Sequence, residues 1–323
     1  MDLTNSSYLL PFKCNETYDS TLEILKYIAT ISYLVPGFLL HILILRCILV
    51  KEQRFFKESS FFQVYAADSV ASLTIILLDI FFARLFLFIP PFCPIIGPFF
   101  WEPSIILKTY YYLNNHARFA KSVAQIFMVL NRMSCVLWPM SYGQIWKKCL
   151  GYCILLIFCL PILGTWNILI SRMKAFSSFG GFGIGYNKAV EWASLSLFQL
   201  IYVSIALIAT VICTTVTLYK LIFLSDRIKS VEKSLCITSI CISVTFLLVA
   251  ATQVHYALFP QTIRVSWIYI AQFLAFDLLT VGSAVIMFGT NQQLRSLILP
   301  LRFHRIDENR VFQMSSTASN LEK

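Results

Sequence analysis

Asn114, Arg118, Lys121, Gln125 and Arg132 recur at helical spacing inside an otherwise apolar stretch. At 100° per residue they fall within about 60° of one another, forming one polar stripe along a helix. An ionised side chain at mid-bilayer costs roughly 2.5–3.5 kcal/mol, so such a stripe faces other helices or water and has partners. Acids stand in neighbouring runs. Asp68 and Asp79 share a helix face about 16 Å apart along its axis. Asp79 is predicted near the depth of Arg118 and Lys121, and Asp68 nearer that of Asp277. Two readings are open. Asp79 neutralises Arg118 or Lys121 and holds a bundle together, or one cation is left over. Two cations against one acid would favour an anionic or carboxylate-bearing ligand. Asp68 and Asp277 would share a proton, a cation or water, since two buried like charges rarely both stay ionised. Gln253 and His255 in one later run, and Tyr269 and Gln272 in another, add polar groups at a similar depth. With Arg118, Lys121 and Gln125 they form a candidate set for binding a small molecule.

Nothing points to catalysis. There is no His-Glu-x-x-His, Walker loop, nucleophile elbow or paired Cys-x-x-Cys, so no metal or cofactor is expected. Gly180–Gly185, "GGFGIG", has the look of a phosphate-binding loop. It follows no predicted strand, and a flexible loop is expected there.

Composition sets the elements that position these residues. Hydrophobic residues make up 58% of the 323, aromatic residues 15% and charged residues only 13%, against about 25% charged in soluble domains. The mean hydropathy is +0.73. Apolar runs near the ~20 residues of a spanning helix cover Tyr27–Val50, Ser60–Ala83, Tyr112–Trp138, Cys149–Ile170, Ala193–Tyr219, Leu235–Phe259 and Trp267–Gly289. The expected fold is an all-α membrane protein, a seven-transmembrane helix bundle. Residues 1–26 form an N-terminal tail, 27–289 the bundle and 290–323 a second tail. That last segment opens with an amphipathic helix, Leu294, Leu297, Ile298 and Leu301 lying on one face, suited to the membrane interface.

The net charge of +10 does not imply nucleic acid, because the basic residues fall in short clusters between apolar runs. They suit anionic lipid. Roughly twice as many Lys and Arg fall on the side opposite the N-terminus, so the N-terminus is predicted outside and the C-terminus in the cytoplasm of a multi-pass plasma-membrane protein. Asn5 and Asn15 open N-glycosylation sequons in the outer tail. Of the ten cysteines, only Cys14 and Cys93 are predicted outside, where a disulfide between them is favoured over free thiols.

Seven spans, an outer N-terminus, short loops and an Arg at the inner end of the third span resemble a G-protein-coupled receptor. More specifically, "LNRMSCVLWPMSYGQIW", Leu130–Trp146, resembles the nematode serpentine chemoreceptors of class gamma. Asn131, Arg132, Pro139, Tyr142 and Trp146 carry the match. The resemblance implies detection of a small chemical cue by sensory neurons and signalling to a heterotrimeric G protein. Asn131, Arg132, Lys147, Lys148, Arg227 and Lys229 would frame the coupling surface. The chain departs from the rhodopsin-like pattern. Asn131 stands where an acid usually precedes the Arg, the seventh span lacks Asn-Pro-x-x-Tyr, and no cysteine pair joins the third span to the second outer loop. A small-molecule or proton-coupled transporter is the alternative. Transporters often carry internal repeats and matched broken spans. No repeat is evident, and Pro36-Gly37 and Pro161 are not a matched pair.

Overall fold

The computed structural model describes residues 14, 17–51, 56, 59–101, 104–221, 226–258 and 266–298, without side-chain detail for 51, 101, 221–239, 256, 257, 266–268 and 293. The first span is Ser20–Arg46, capped by the Asp19 carboxylate, which accepts from the Thr21 N–H, and it runs on into a π-helical turn, Cys47–Lys51. The second is Ser60–Leu78, continued through a π-helical turn, Asp79–Arg84, into Leu85–Phe88. The third is Ile105–Leu137, capped by Ser104. The fourth comprises Pro139–Cys159 and Ile162–Ile170. The fifth is Leu195–Leu221, the sixth Asp226–Leu258 and the seventh Ser266–Thr290.

Among the described residues, five spans are long and apolar enough to cross a membrane on length and composition alone: Ser20–Val50, Ser60–Phe88, Pro139–Ile170, Leu195–Lys220 and Tyr269–Thr290. The polar stripe of the third span lowers its hydropathy. The sixth contributes a shorter apolar stretch, Ile240–His255, among the described residues. Outward faces carry exposed Leu39, Leu163, Ile208, Leu247 and Val285, as a lipid-facing surface requires. The third span packs on the second, fourth and fifth, the sixth on the fifth and seventh, and the first on the second and seventh. Small residues allow close approach. Ala117, Ala120 and Ala124 of the third span join Ala67 and Ala71 of the second in one core. A Cβ on Gly37 would stand 2.6 Å from Val281 across the first and seventh spans.

The fourth span starts ten residues earlier than predicted. Pro139 occupies the first helical turn, where its missing N–H costs nothing, so the motif segment is helix and only Trp138 separates the third span from the fourth. The chain breaks at Leu160–Pro161. The carbonyl of Phe158 accepts from His116 Nε2 at 2.9 Å, and that of Leu160 from the Tyr202 hydroxyl at 2.6 Å. His116 is therefore a partner of the fourth span.

The expected flexible loop is instead a hairpin, so among the described residues the fold is all-α apart from one small sheet. Strand β1, Arg172–Ser178, pairs antiparallel with β2, Gly181–Asn187. "GGFGIG" thus does follow a strand, but it makes a turn and a return strand rather than a cradle at a helix N-terminus. Both turn residues have positive φ, 54° at Phe179 and 80° at Gly180, as tight two-residue hairpins demand. Such a φ strains a bulky residue by about 1–3 kcal/mol. Packing holds Phe179 there: it is buried against Tyr18, Phe88 and Tyr269.

The strand lies directly on the end of the second span, Phe182 stacking on Phe86 with centroids 4.9 Å apart. A Cβ at Gly181 would stand 2.1 Å from the Phe86 carbonyl oxygen and 2.6 Å from that of Leu87, both backbone atoms that cannot rotate away. Gly181→Ala should therefore lift the hairpin and cost about 1–3 kcal/mol. Gly151→Ala, with nothing within 4 Å, is the control. Thermal unfolding of both variants checks this. Cys14 is disulfide-bonded to Cys93, the first residue of a short loop helix, Cys93–Trp101. The tail, loop helix and hairpin thus gather at one end of the bundle. At the opposite end the helix Gln292–Ile298 buries Leu294 and rests Leu297 and Ile298 on the core, while Arg295 is exposed. Leu301 and the glycosylation candidates Asn5 and Asn15 lie outside the described residues.

Candidate functional site

Among the described residues, three buried ion pairs occupy the bundle interior. Lys121 Nζ lies 2.9 Å from both carboxylate oxygens of Asp68 and 2.7 Å from Ser72 Oγ. Nearer the hairpin, Arg118 Nη2 is 3.4 Å from Asp79 Oδ1, and its guanidinium sits over the Phe276 ring at 4.2 Å. Asn114 Nδ2 donates to the same Asp79 oxygen at 2.8 Å. The third pair is Arg84 with Asp277, joined by Tyr33, whose hydroxyl donates to Asp277 and accepts from Arg84.

This arrangement corrects two expectations. Lys121 does not compete for Asp79, because its four-carbon stem carries the ammonium to Asp68. Asp68 and Asp277 do not share a proton or ion, because each holds its own cation. The third cation is Arg84, one residue past the predicted end of the second span, Ser60–Ala83, and fully buried. In an α-helix it would stand about 140° around from Asp79. The π-helical turn, with its i→i+5 bonding, rotates it back inward.

Above Arg118 a cavity of about 770 Å³, including its mouth, opens toward the hairpin. Tyr110, Tyr111, Asn114, Asn115 and Arg118 line it from the third span, and Gln199 from the fifth. Gln253 comes from the sixth span, Tyr269, Gln272 and Phe273 from the seventh, and Gly183 and Ile184 from β2. Tyr186 holds the strand's exit in place, its oxygen accepting from the Leu195 N–H at 2.8 Å. Burial pushes that phenol above its ordinary pKa. Three polar atoms on the lining residues are buried without a hydrogen-bond partner: Asn114 Oδ1, Arg118 Nε and Gln253 Nε2. Buried polar groups are normally satisfied, so three together suit a site that accepts a polar guest.

The opposite end is wired through the motif. Asn131 Nδ2 donates to Ser60 Oγ at 2.7 Å, the Tyr142 hydroxyl donates to Asn131 Oδ1 at 3.0 Å, and Ser60 and Tyr142 are 2.9 Å apart. Trp146 Nε1 donates to Ser134 Oγ at 2.7 Å. The Arg132 guanidinium lies over the Phe61 ring, 3.7 Å from its centroid. One helix, the third span, carries both the cavity's polar wall and this cluster.

Residues 27–298 match the profile described as Srg family chemoreceptor. The chain belongs to the Srg family of chemoreceptors. It is 54% identical over 314 residues to serpentine receptor class gamma-15 of Caenorhabditis elegans, covering 97% of both chains. With class gamma-16 and class gamma-17 of the same organism it shares 50% and 52% identity, each over 88% of both chains. The family is one of receptors rather than enzymes, and this Srg chain is a multi-pass membrane protein.

Of the seven candidate ligand contacts in this Srg receptor, Arg118, Gln253, Tyr269 and Gln272 line the cavity. Lys121 and Gln125 do not. They border a smaller gap of about 170 Å³ below it, with Asp68 and Ser283. Gln125 Nε2 reaches Thr210 Oγ1 at 3.4 Å. His255 is half-buried and does not line the cavity. Two residues from Gln253, it stands about 200° around the helix. Tyr110, Tyr111, Asn115 and Gln199 were missed. Gln199, a lone amide in an apolar span, carries the signal that singled out Gln253. Lys147 and Lys148 are exposed on the fourth span beside the motif cluster. Arg227 and Lys229 lie on the sixth helix with side chains outside the described set.

Proposed function

We propose that this Srg chemoreceptor is a G-protein-coupled receptor that binds a small chemical cue in the hairpin-end cavity and signals through the opposite end. The observation that carries the reading is the pairing, on one helix, of a polar-lined cavity with partnerless buried atoms and the Asn131–Arg132 cluster. In this reading the hairpin end is extracellular and the helix Gln292–Ile298 is cytoplasmic, as the Lys and Arg distribution favours. A ligand that binds one bundle arrangement better than another shifts the equilibrium by that difference in affinity. The third span then carries the shift to Asn131, Arg132 and the basic residues Lys147, Lys148, Arg227 and Lys229, which meet the G-protein α-subunit. The buried acids Asp68, Asp79 and Asp277 hold the helices in register meanwhile. The site of action is the sensory-neuron plasma membrane.

The purified chain in lipid vesicles with a heterotrimeric G protein should accelerate guanine-nucleotide exchange when fractions of small polar metabolites are added, with no solute flux into the vesicles. Flux without exchange would establish the transporter instead. Enzymatic removal of glycans from Asn5 and Asn15 should shift the mobility of the expressed protein, and no shift counts against an outer N-terminus.

A further inference from the structure

We infer that the cavity selects an electrically neutral ligand that offers a hydrogen-bond donor beside an acceptor on a planar body. This rests on the cavity being the ligand site proposed above. Charge gives the first argument. Arg118 is the one charged side chain among the described residues that line the cavity, and Asp79 already stands 3.4 Å from it. Outside the lining, Lys121 and Arg84 are likewise matched by Asp68 and Asp277. A ligand carboxylate could reach the partnerless Arg118 Nε–H only as a second anion on the cation that already serves Asp79, itself 1% exposed. A ligand ammonium would face the guanidinium. A neutral molecule disturbs nothing.

Hydrogen bonding gives the second argument. Asn114 is fixed by its Nδ2–H donation to Asp79, so the oxygen left without a partner is an acceptor that calls for a donor. Gln253, 1% exposed, has an amide nitrogen without a partner, which calls for an acceptor. A primary amide, a lactam or a hydroxy-carbonyl group answers both. The walls give the third argument. Tyr110, Tyr111, Tyr269 and Phe273 surround these atoms with aromatic surface, which suits a flat apolar body.

The matched probes are benzamide and benzoate, equal in shape and different in charge. Thermal unfolding of the full chain in nanodiscs should show a rise in midpoint with benzamide and none with benzoate at neutral pH. Gln253→Leu should weaken benzamide about tenfold, the factor for one lost hydrogen bond worth about 1.4 kcal/mol. Asp79→Asn frees the guanidinium and should turn the preference toward benzoate. A wild-type shift with benzoate alone overturns the inference. So does no shift with either probe, or a benzamide shift undiminished by Gln253→Leu, which would leave the partnerless atoms to water. Failure of nucleotide exchange alongside benzamide binding would strike the coupling proposal and leave the ligand class standing. Exchange driven only by acids would do the reverse.

Discussion

Lys121→Met should destabilise the bundle by about 3–5 kcal/mol, the cost of leaving one member of a buried pair without the other. The ammonium it removes makes three contacts, two to Asp68 and one to Ser72. Both partners are almost fully enclosed, at 2% and 3% side-chain exposure, so water does not replace the lost charge. Met keeps the length and apolar stem of Lys, which confines the change to the charge. A partnered pair adds little net stability over well-packed neutral groups, so Lys121→Met/Asp68→Asn should recover most of the loss. Thermal midpoints and surface expression of the three proteins read the result. A stable single variant would mean that the pair does not hold the second and third spans together.

Arg132→Ala should leave ligand-induced stabilisation intact and reduce stimulated nucleotide exchange to background. Arg132 is more than a dozen residues from the nearest cavity residue on the same helix, Arg118, which is about 20 Å of rise. The two ends are therefore separable by mutation. The position of the guanidinium, over Phe61, suggests the companion experiment. A cation–π contact contributes about 0.5–2 kcal/mol, so Phe61→Leu should raise basal exchange by up to about tenfold while Arg132→Ala lowers it. Normal signalling by Arg132→Ala would discard its coupling role.

Long-range order was legible in the sequence wherever it depended on periodicity. Apolar runs marked the spans, and the spacing of Asn114, Arg118, Lys121 and Gln125 gave the buried face of the third span. The stretch from Leu130 to Trp146 led to the family. What escaped depends on local deviations from ideal geometry. A π-helical turn leaves no pattern of residue types, so the second span was ended at Ala83 and the cation just past it, Arg84, was not counted against the buried acids. The hairpin has glycine where strands usually carry branched residues, and its fold relies on contacts with the second span rather than on propensity. Lys121 was placed by the depth of its Cα, although its ammonium acts a full side-chain length away. The same error put it in the ligand set. Asn131 shows the opposite case. The sequence marked the position as a departure from the usual acid, and only the coordinates reveal what the amide does there, bridging Ser60 and Tyr142.

The junction at Trp138 leaves almost no slack between two long rods. A hinge of one residue, clamped on either side by the Trp146–Ser134 and Tyr142–Asn131 bonds, transmits torque instead of absorbing it. Any twist of the third rod about its axis must swing the base of the fourth, carrying Lys147 and Lys148 along the membrane surface as a crank carries its handle.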